Sequence, residues 1–165
     1  MNDHMSTQID VAQQVEPAVL SRSRLWAYFI LRFSLGLNMF VHGTGRLYQG
    51  LHGWVANTEK LFIGNILPMW LVHGFLTILP FMEAAIGVLL VLGLWTHWAL
   101  VWEGFVMIIL VFGMGLRADF VAQPSNASAV VAQQMIYLLT FYVLLAMVNY
   151  NRFSVDTILA ARGKN

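Results

Sequence analysis

The sequence predicts an all-α integral membrane protein, a four-transmembrane-helix bundle with both N- and C-termini cytoplasmic. Three observations predict it. Hydrophobic residues make up 59% of the 165 and charged residues only 10%, against about 25% charged in ordinary soluble domains. The few charges gather at the chain ends and between apolar runs. Four runs, at about residues 25–47, 68–94, 97–116 and 130–150, reach the roughly 20 apolar residues that a helix needs to cross hydrocarbon.

The chain thus divides into a polar N-terminal tail over 1–24, a membrane domain over 25–150 and a C-terminal tail over 151–165. In the first run Arg32, Gly36, Met39, Gly43 and Arg46 recur at spacings of three and four. They form one stripe, and its small residues let a second helix approach closely, so this face points into the bundle. Residues 48–67 are a long connection. Within it, "WVANTEKLF" (54–62) reads either as a short helix lying in the membrane interface or as a partly ordered loop. The second run carries Pro80, whose missing N–H can kink the helix, then Glu83 with Gly87 one turn later on the same face. Only Trp95 and Thr96 separate the second and third runs, which predicts a tight antiparallel hairpin. Gln133, Gln134 and Tyr137 lead into the fourth.

Basic residues set the orientation. Arg22, Arg24, Arg152, Arg162 and Lys164 lie on the side of the tails, and Arg46, Lys60 and Arg117 on the other. The excess places the tails in the cytoplasm. The expected location is the bacterial or archaeal cytoplasmic (inner) membrane, crossed several times, with the lipid bilayer as the first partner. Trp26, Tyr28, Trp95, Trp98, Trp102, Tyr150 and Phe153 supply an aromatic belt near the cytoplasmic interface.

The composition also excludes. A net charge of +1 offers no basic field for nucleic acid. Without cysteine there are no disulfides, thiolate metal sites, cysteine nucleophiles or cysteine-held iron–sulfur clusters. The nine methionines form no metal box, and no metal is expected. No secretory signal is evident, because the first apolar run is too long for a cleavable one. The sequon at Asn126 is a three-letter pattern that recurs by chance.

Ionisable side chains inside membrane runs are functional-site candidates by default. Three stand out as candidate catalytic groups: Arg32, Glu83 and Glu103. Counted from the cytoplasmic run ends, Arg32 and Glu103 lie at about 10 Å and 9 Å, and Glu83 at about 16 Å. Arg32 and Glu103 could therefore pair and fix the helix register. Two carboxylates with one arginine also allow the surplus carboxyl to stay neutral, donating a hydrogen bond or passing a proton. Nearer the other face, His42 and His73 sit at matching depth, about 8 Å inside their run ends. Either each imidazole bonds a backbone carbonyl or hydroxyl, or the pair contacts a cofactor together with Tyr137. The cofactor would be a quinone or, second to it, a b-type haem. Arg46 and Arg117, at the external ends of runs one and three, could hold an anionic substrate or a lipid headgroup, or serve as snorkelling anchors.

Three motifs in order then carry a family resemblance. "LRFSLGLNMFVHGTGRL" (31–47) resembles the first-span motif of the DoxX/DoxD family, an arginine followed by a glycine and an HG-x-x-K/R-L end. "FMEAAIGVLLVLGLWTHWA" (81–99) resembles its second span and turn, and "NYNRFSVDTIL" (149–159) its N-R-x-S-x-D ending. His97 and Arg46 stand where arginine and lysine are usual. The corresponding motif positions are Arg32, Gly36, His42, Gly43, Arg46, Glu83, Gly87, Asn151, Arg152 and Asp156. The resemblance implies a four-helix membrane protein similar to the small subunit of thiosulfate:quinone oxidoreductase. Its function would be that of a membrane subunit in a quinone-linked oxidoreductase complex, contributing a quinone and proton site. With no cysteine and no flavin or dinucleotide fingerprint, the donor side would come from other membrane or periplasmic subunits. The alternative is a non-catalytic structural or assembly subunit of a larger membrane complex, so the sequence leaves enzymatic activity open.

Overall fold

A computed structural model describes the backbone of residues 3–117 and 124–162 and the side chains of 22–117 and 131–162. The sequon at Asn126, the start of the fourth apolar run and the side chains of 1–21 lie outside the described side chains. Among the described residues six helices follow in order: α1 (Asp3–Tyr48), α2 (Leu51–Glu59), α3 (Met69–Leu92), α4 (Thr96–Gly115), α5 (Pro124–Ala146) and α6 (Val155–Arg162). Short 3-10 turns continue α2 at Lys60–Phe62 and follow α5 at Val148–Tyr150. No strand occurs among the described residues.

Two of the described helices, α3 and α4, are long and apolar enough to cross a membrane. The other two long helices differ for visible reasons. The apolar part of α1 is interrupted by Arg32, Asn38, His42 and Arg46, and the described apolar stretch of α5 covers only Val131–Ala146. The backbone of α1 is continuous from Asp3 to Tyr48, so the first helix does not begin at the onset of the apolar run. Gly50, at φ 93°, then turns the chain into α2. The "WVANTEKLF" stretch is therefore helical.

The close approach of α1 and α3 organises the molecule. A Cβ on Gly36 would lie 2.8 Å from Leu90 Cβ, and one on Gly87 2.5 Å from the Phe40 nitrogen. Gly43 abuts Pro80 and Ala84 in the same way. Gly36 against Leu90 and Gly43 against Pro80 fix an antiparallel register. Both backbones are in contact, so no side chain fits between them. The second extensive interface joins α4 and α5. Leu35, Met39, Leu79, Ile86, Leu90, Leu100, Met107, Phe141 and Leu144 fill the space between the two pairs. A smaller cluster of Val55, Phe62, Val72 and Leu76 seats α2 on the start of α3.

Outside, large apolar side chains are exposed along the helices, among them Phe33, Leu37 and Val41 on α1, Ile78 and Phe81 on α3, and Phe105, Ile108 and Phe112 on α4. A monomer in water rarely shows apolar surface on this scale. Hydrocarbon requires it.

The turn between α3 and α4 is held from outside its own sequence. Gly93 takes the left-handed conformation at φ 67°, and its N–H and that of Leu94 bond back to Leu90 and Leu89, a Schellman-type stop. Trp95 follows at φ 49°. Asp156 then caps α4: its Oδ1 accepts from the Trp95 N–H at 2.7 Å and its Oδ2 from the Thr96 N–H at 2.9 Å. Asn151 Nδ2 donates to Thr96 Oγ1 at 2.9 Å. The segment after α5 is thereby locked onto the hairpin.

Candidate functional site

Buried polar groups collect in two places, one at the α3–α4 hairpin end and one beneath α2. At the hairpin end Arg32, 1% exposed, donates from Nη1 to the Leu90 carbonyl and from Nη2 to the Phe153 carbonyl, each at 2.6 Å. This corrects the expected Arg32–Glu103 pair. The expectation assumed that the first helix starts near residue 25. The helix continues N-terminal to that point, and the register fixed by Gly36 against Leu90 puts Arg32 level with the hairpin. There the last-turn carbonyl of Leu90 has no partner four residues on and accepts a second donor beside the Gly93 N–H. A guanidinium beside a helix C-terminus also meets the negative end of the helix dipole. Gly93 is required there: any Cβ would strike the Arg32 guanidinium and Ser154.

Beneath α2, Arg46 reaches inward instead of snorkelling out. Its Nη1 donates to Glu83 Oε2 in an ion pair. The Arg46 guanidinium also lies over the Trp54 ring of α2, 4.9 Å from the centroid, a favourable cation–π distance. Glu83 is 2% exposed and Glu103, on α4, is fully buried. Both Glu103 carboxyl oxygens lack a hydrogen-bond partner among the described residues. Glu83 and Arg46 are both within electrostatic reach of that carboxyl.

Above this group lies a cavity of about 220 Å³, walled by Trp54, Leu61 and Phe62 from α2 and its 3-10 turn, Phe75 and Leu79 from α3, and Leu110 and Met114 from α4. Arg46, Arg117 and Thr58 are its polar lining residues. Asn65 Nδ2 donates to the Leu116 carbonyl and ties the connection after α2 to the end of α4. A larger groove of about 670 Å³ runs along the outside of α4 and α5, lined by Leu100, Phe105, Ile108, Leu139, Tyr142 and other mainly apolar residues. It offers lipid-like surface and little for chemistry.

The structure thus brings Arg46, Glu83 and Glu103 together, lines the cavity above them with Arg46 and Arg117, and holds the other candidates apart. His42 is exposed on α1. His73 is exposed as well, and its Nδ1 meets Glu59 Oε1. Tyr137 accepts from Asn38 Nδ2 at 2.9 Å, joining α1 to α5.

A family model described as DoxX matches residues 27–116, more than half of the chain. The chain belongs to the DoxX family. Family membership and the apolar helices together make it a membrane protein of the DoxX type. The match spans α3, α4 and most of the apolar part of α1, so it includes Arg46, Glu83, Glu103 and the last match residues beside Arg117. The docking segment with Asn151 and Asp156 lies beyond it. No curated protein and no solved structure matches this DoxX chain.

Sequence reasoning missed the Arg46–Glu83 pair, although its signal was present. Gly43 and Gly87 are the points where α1 and α3 touch. In an antiparallel pair, Arg46 lies one turn beyond Gly43 and Glu83 one turn before Gly87, so the two face each other.

Proposed function

We propose that this DoxX protein is the membrane subunit of a quinone-linked oxidoreductase complex of the thiosulfate:quinone oxidoreductase kind. In this reading α1, α3, α4 and α5 all cross the bilayer as a four-helix bundle in the bacterial or archaeal cytoplasmic membrane, with both termini in the cytoplasm. The arginine asymmetry between the two sides supports that orientation. One observation carries the functional reading: a single arginine and two buried carboxyls lie beneath an apolar cavity at the α2 end.

The lining fits a quinone head. Aromatic and aliphatic walls suit the ring, and guanidinium N–H groups suit its carbonyl oxygens. Arg46 and Arg117 would bind and orient the head, in place of His42 and His73, which the fold leaves on exposed surface. Glu83 and Glu103 would serve as proton carriers. A quinone, when bound, takes up two electrons and two protons. Trp54 and the apolar wall exclude water, which strengthens each polar contact inside. The donor side belongs to a partner subunit in this reading, since the chain has neither a cysteine for an iron–sulfur or thiol centre nor a flavin or dinucleotide fingerprint.

The decisive experiment purifies the chain with its co-purifying proteins, extracts bound lipids and assays quinone reduction. The reading expects extracted quinone and a turnover lost in Arg46→Gln. Absence of both quinone and quinone reduction would overturn it. A second reading, a structural or assembly subunit, draws on the hairpin end, where every bond of Arg32 and Asp156 holds helices together. Assembly and full turnover in Glu83→Gln would favour it.

A further inference from the structure

Arg46, Glu83 and Glu103 carry an electrostatic requirement of their own. They come from three helices, α1, α3 and α4. Glu83 has its cation, and neither oxygen of the fully buried Glu103 has a partner among the described residues. An ionised carboxylate in that position would be a second negative charge beside Glu83, with its water removed and with only the already paired Arg46 to offset both. The other charged or titratable groups near this end do not supply the missing cation. His42 stands on the exposed face of α1, His73 and Glu59 answer each other, and Arg117 follows the end of α4, fourteen residues and about 20 Å of helix rise beyond Glu103. Arg32 is at the hairpin end, committed to two carbonyls.

We propose that Arg46, Glu83 and Glu103 form a one-proton binding site, in which Glu83 is the anion paired with Arg46 and Glu103 holds the proton. The number of protons bound equals the number of carboxyls less the number of cations. Remove the cation and both carboxyls are protonated. Remove Glu83 and Arg46 turns to Glu103, which gives up its proton. The two acids act as one titrating unit. This goes beyond the redox reading and rests on it only for the use to which the proton is put. A group that entered the cavity and drew Arg46 from Glu83 would bring a second proton into the site by the same rule.

Infrared spectroscopy of the full chain in lipid nanodiscs, at neutral pH and with carbon-13-labelled glutamate, reads the proton directly. The carbonyl stretch of a protonated carboxyl is separate from the carboxylate bands and shifts in deuterated water. The unmodified chain should show one such glutamate band. Glu103→Gln should abolish it, Glu83→Gln should abolish it too, Arg46→Gln should double it, and Arg46→Lys, which keeps the cation, should leave it single. Absence of the band in the unmodified chain would overturn the proposal even if no variant folds. So would a band that survives Glu103→Gln, or one that does not grow in Arg46→Gln. The spectrum is independent of quinone: a chain with the band but no quinone reduction would retain the proton site and lose the redox reading.

Discussion

Arg32 and Arg46 lie on one stripe of α1, and the helix turns both side chains toward α3, Arg32 buried and Arg46 part-buried, with opposite results. Arg32 ends on backbone carbonyls and Arg46 on a carboxylate. Position relative to the partner helix explains the difference. Arg32 meets the last turn of α3, where the Leu90 carbonyl, already accepting from the Gly93 N–H, takes a second bond from the guanidinium, and the Phe153 carbonyl takes the other. Arg46 meets the interior of α3, where every carbonyl near it belongs to the helix except those that Pro80 releases, so it needs a side-chain anion. The first arrangement is structural: both Nη groups of the guanidinium hold carbonyls that tie α1 to α3 and to the segment after α5, and Nε alone has no partner among the described residues. The second stays open, because Glu103 is left over and a cavity reaches the arginine.

Arg32→Gln should have the largest effect on stability. Loss of two hydrogen bonds from a charged donor should cost about 3 kcal/mol, read as a lowered midpoint in detergent unfolding. If the chain keeps its midpoint but loses turnover, the hairpin end is functional and the contrast fails. Gly87→Ala comes next. Its new Cβ would press on the Phe40 backbone, and overpacking of this kind should cost about 2 kcal/mol. It displaces Glu83 from Arg46 as well, so it should weaken both ends together. Asp156→Ala removes the cap from α4 at a cost of about 1 kcal/mol. Limited proteolysis should then release the segment from residue 151 onward while the α2 end keeps its behaviour. Tyr137→Phe, which deletes one interhelical hydrogen bond with Asn38, should cost about 0.6 kcal/mol and should leave quinone reduction intact.

Much of this molecule is legible from residue types and spacing. The apolar runs locate α3 and α4, the Arg32–Gly36–Met39–Gly43–Arg46 stripe marks the face of α1 that packs, and Gly87 marks its counterpart on α3. The reach of the helices is less legible. Nothing in the hydropathy of residues 1–24 shows that α1 continues through them, and counting depth from residue 25 sets Arg32 level with Glu103, about two helical turns from the hairpin where it lies. The pairing of Arg46 with Glu83 depends on the antiparallel register, which two glycines fix only once they are known to face each other. The hairpin-end network depends on contacts between residues 90–96 and 151–157, which local periodicity cannot report. The histidines show the opposite failure: matching depth in two helices says nothing about whether the side chains face one another.

Parallel measurement of unfolding midpoint and quinone reduction in Glu103→Gln and Arg32→Gln tests the contrast between the two ends most directly. Glu103 has no bond to lose and its replacement has the same shape, so Glu103→Gln should unfold with the parent chain while quinone reduction collapses. Arg32→Gln should unfold early and keep turnover in the fraction that remains folded. A Glu103→Gln chain that turns over at the parent rate would contradict a proton-carrying site beneath α2.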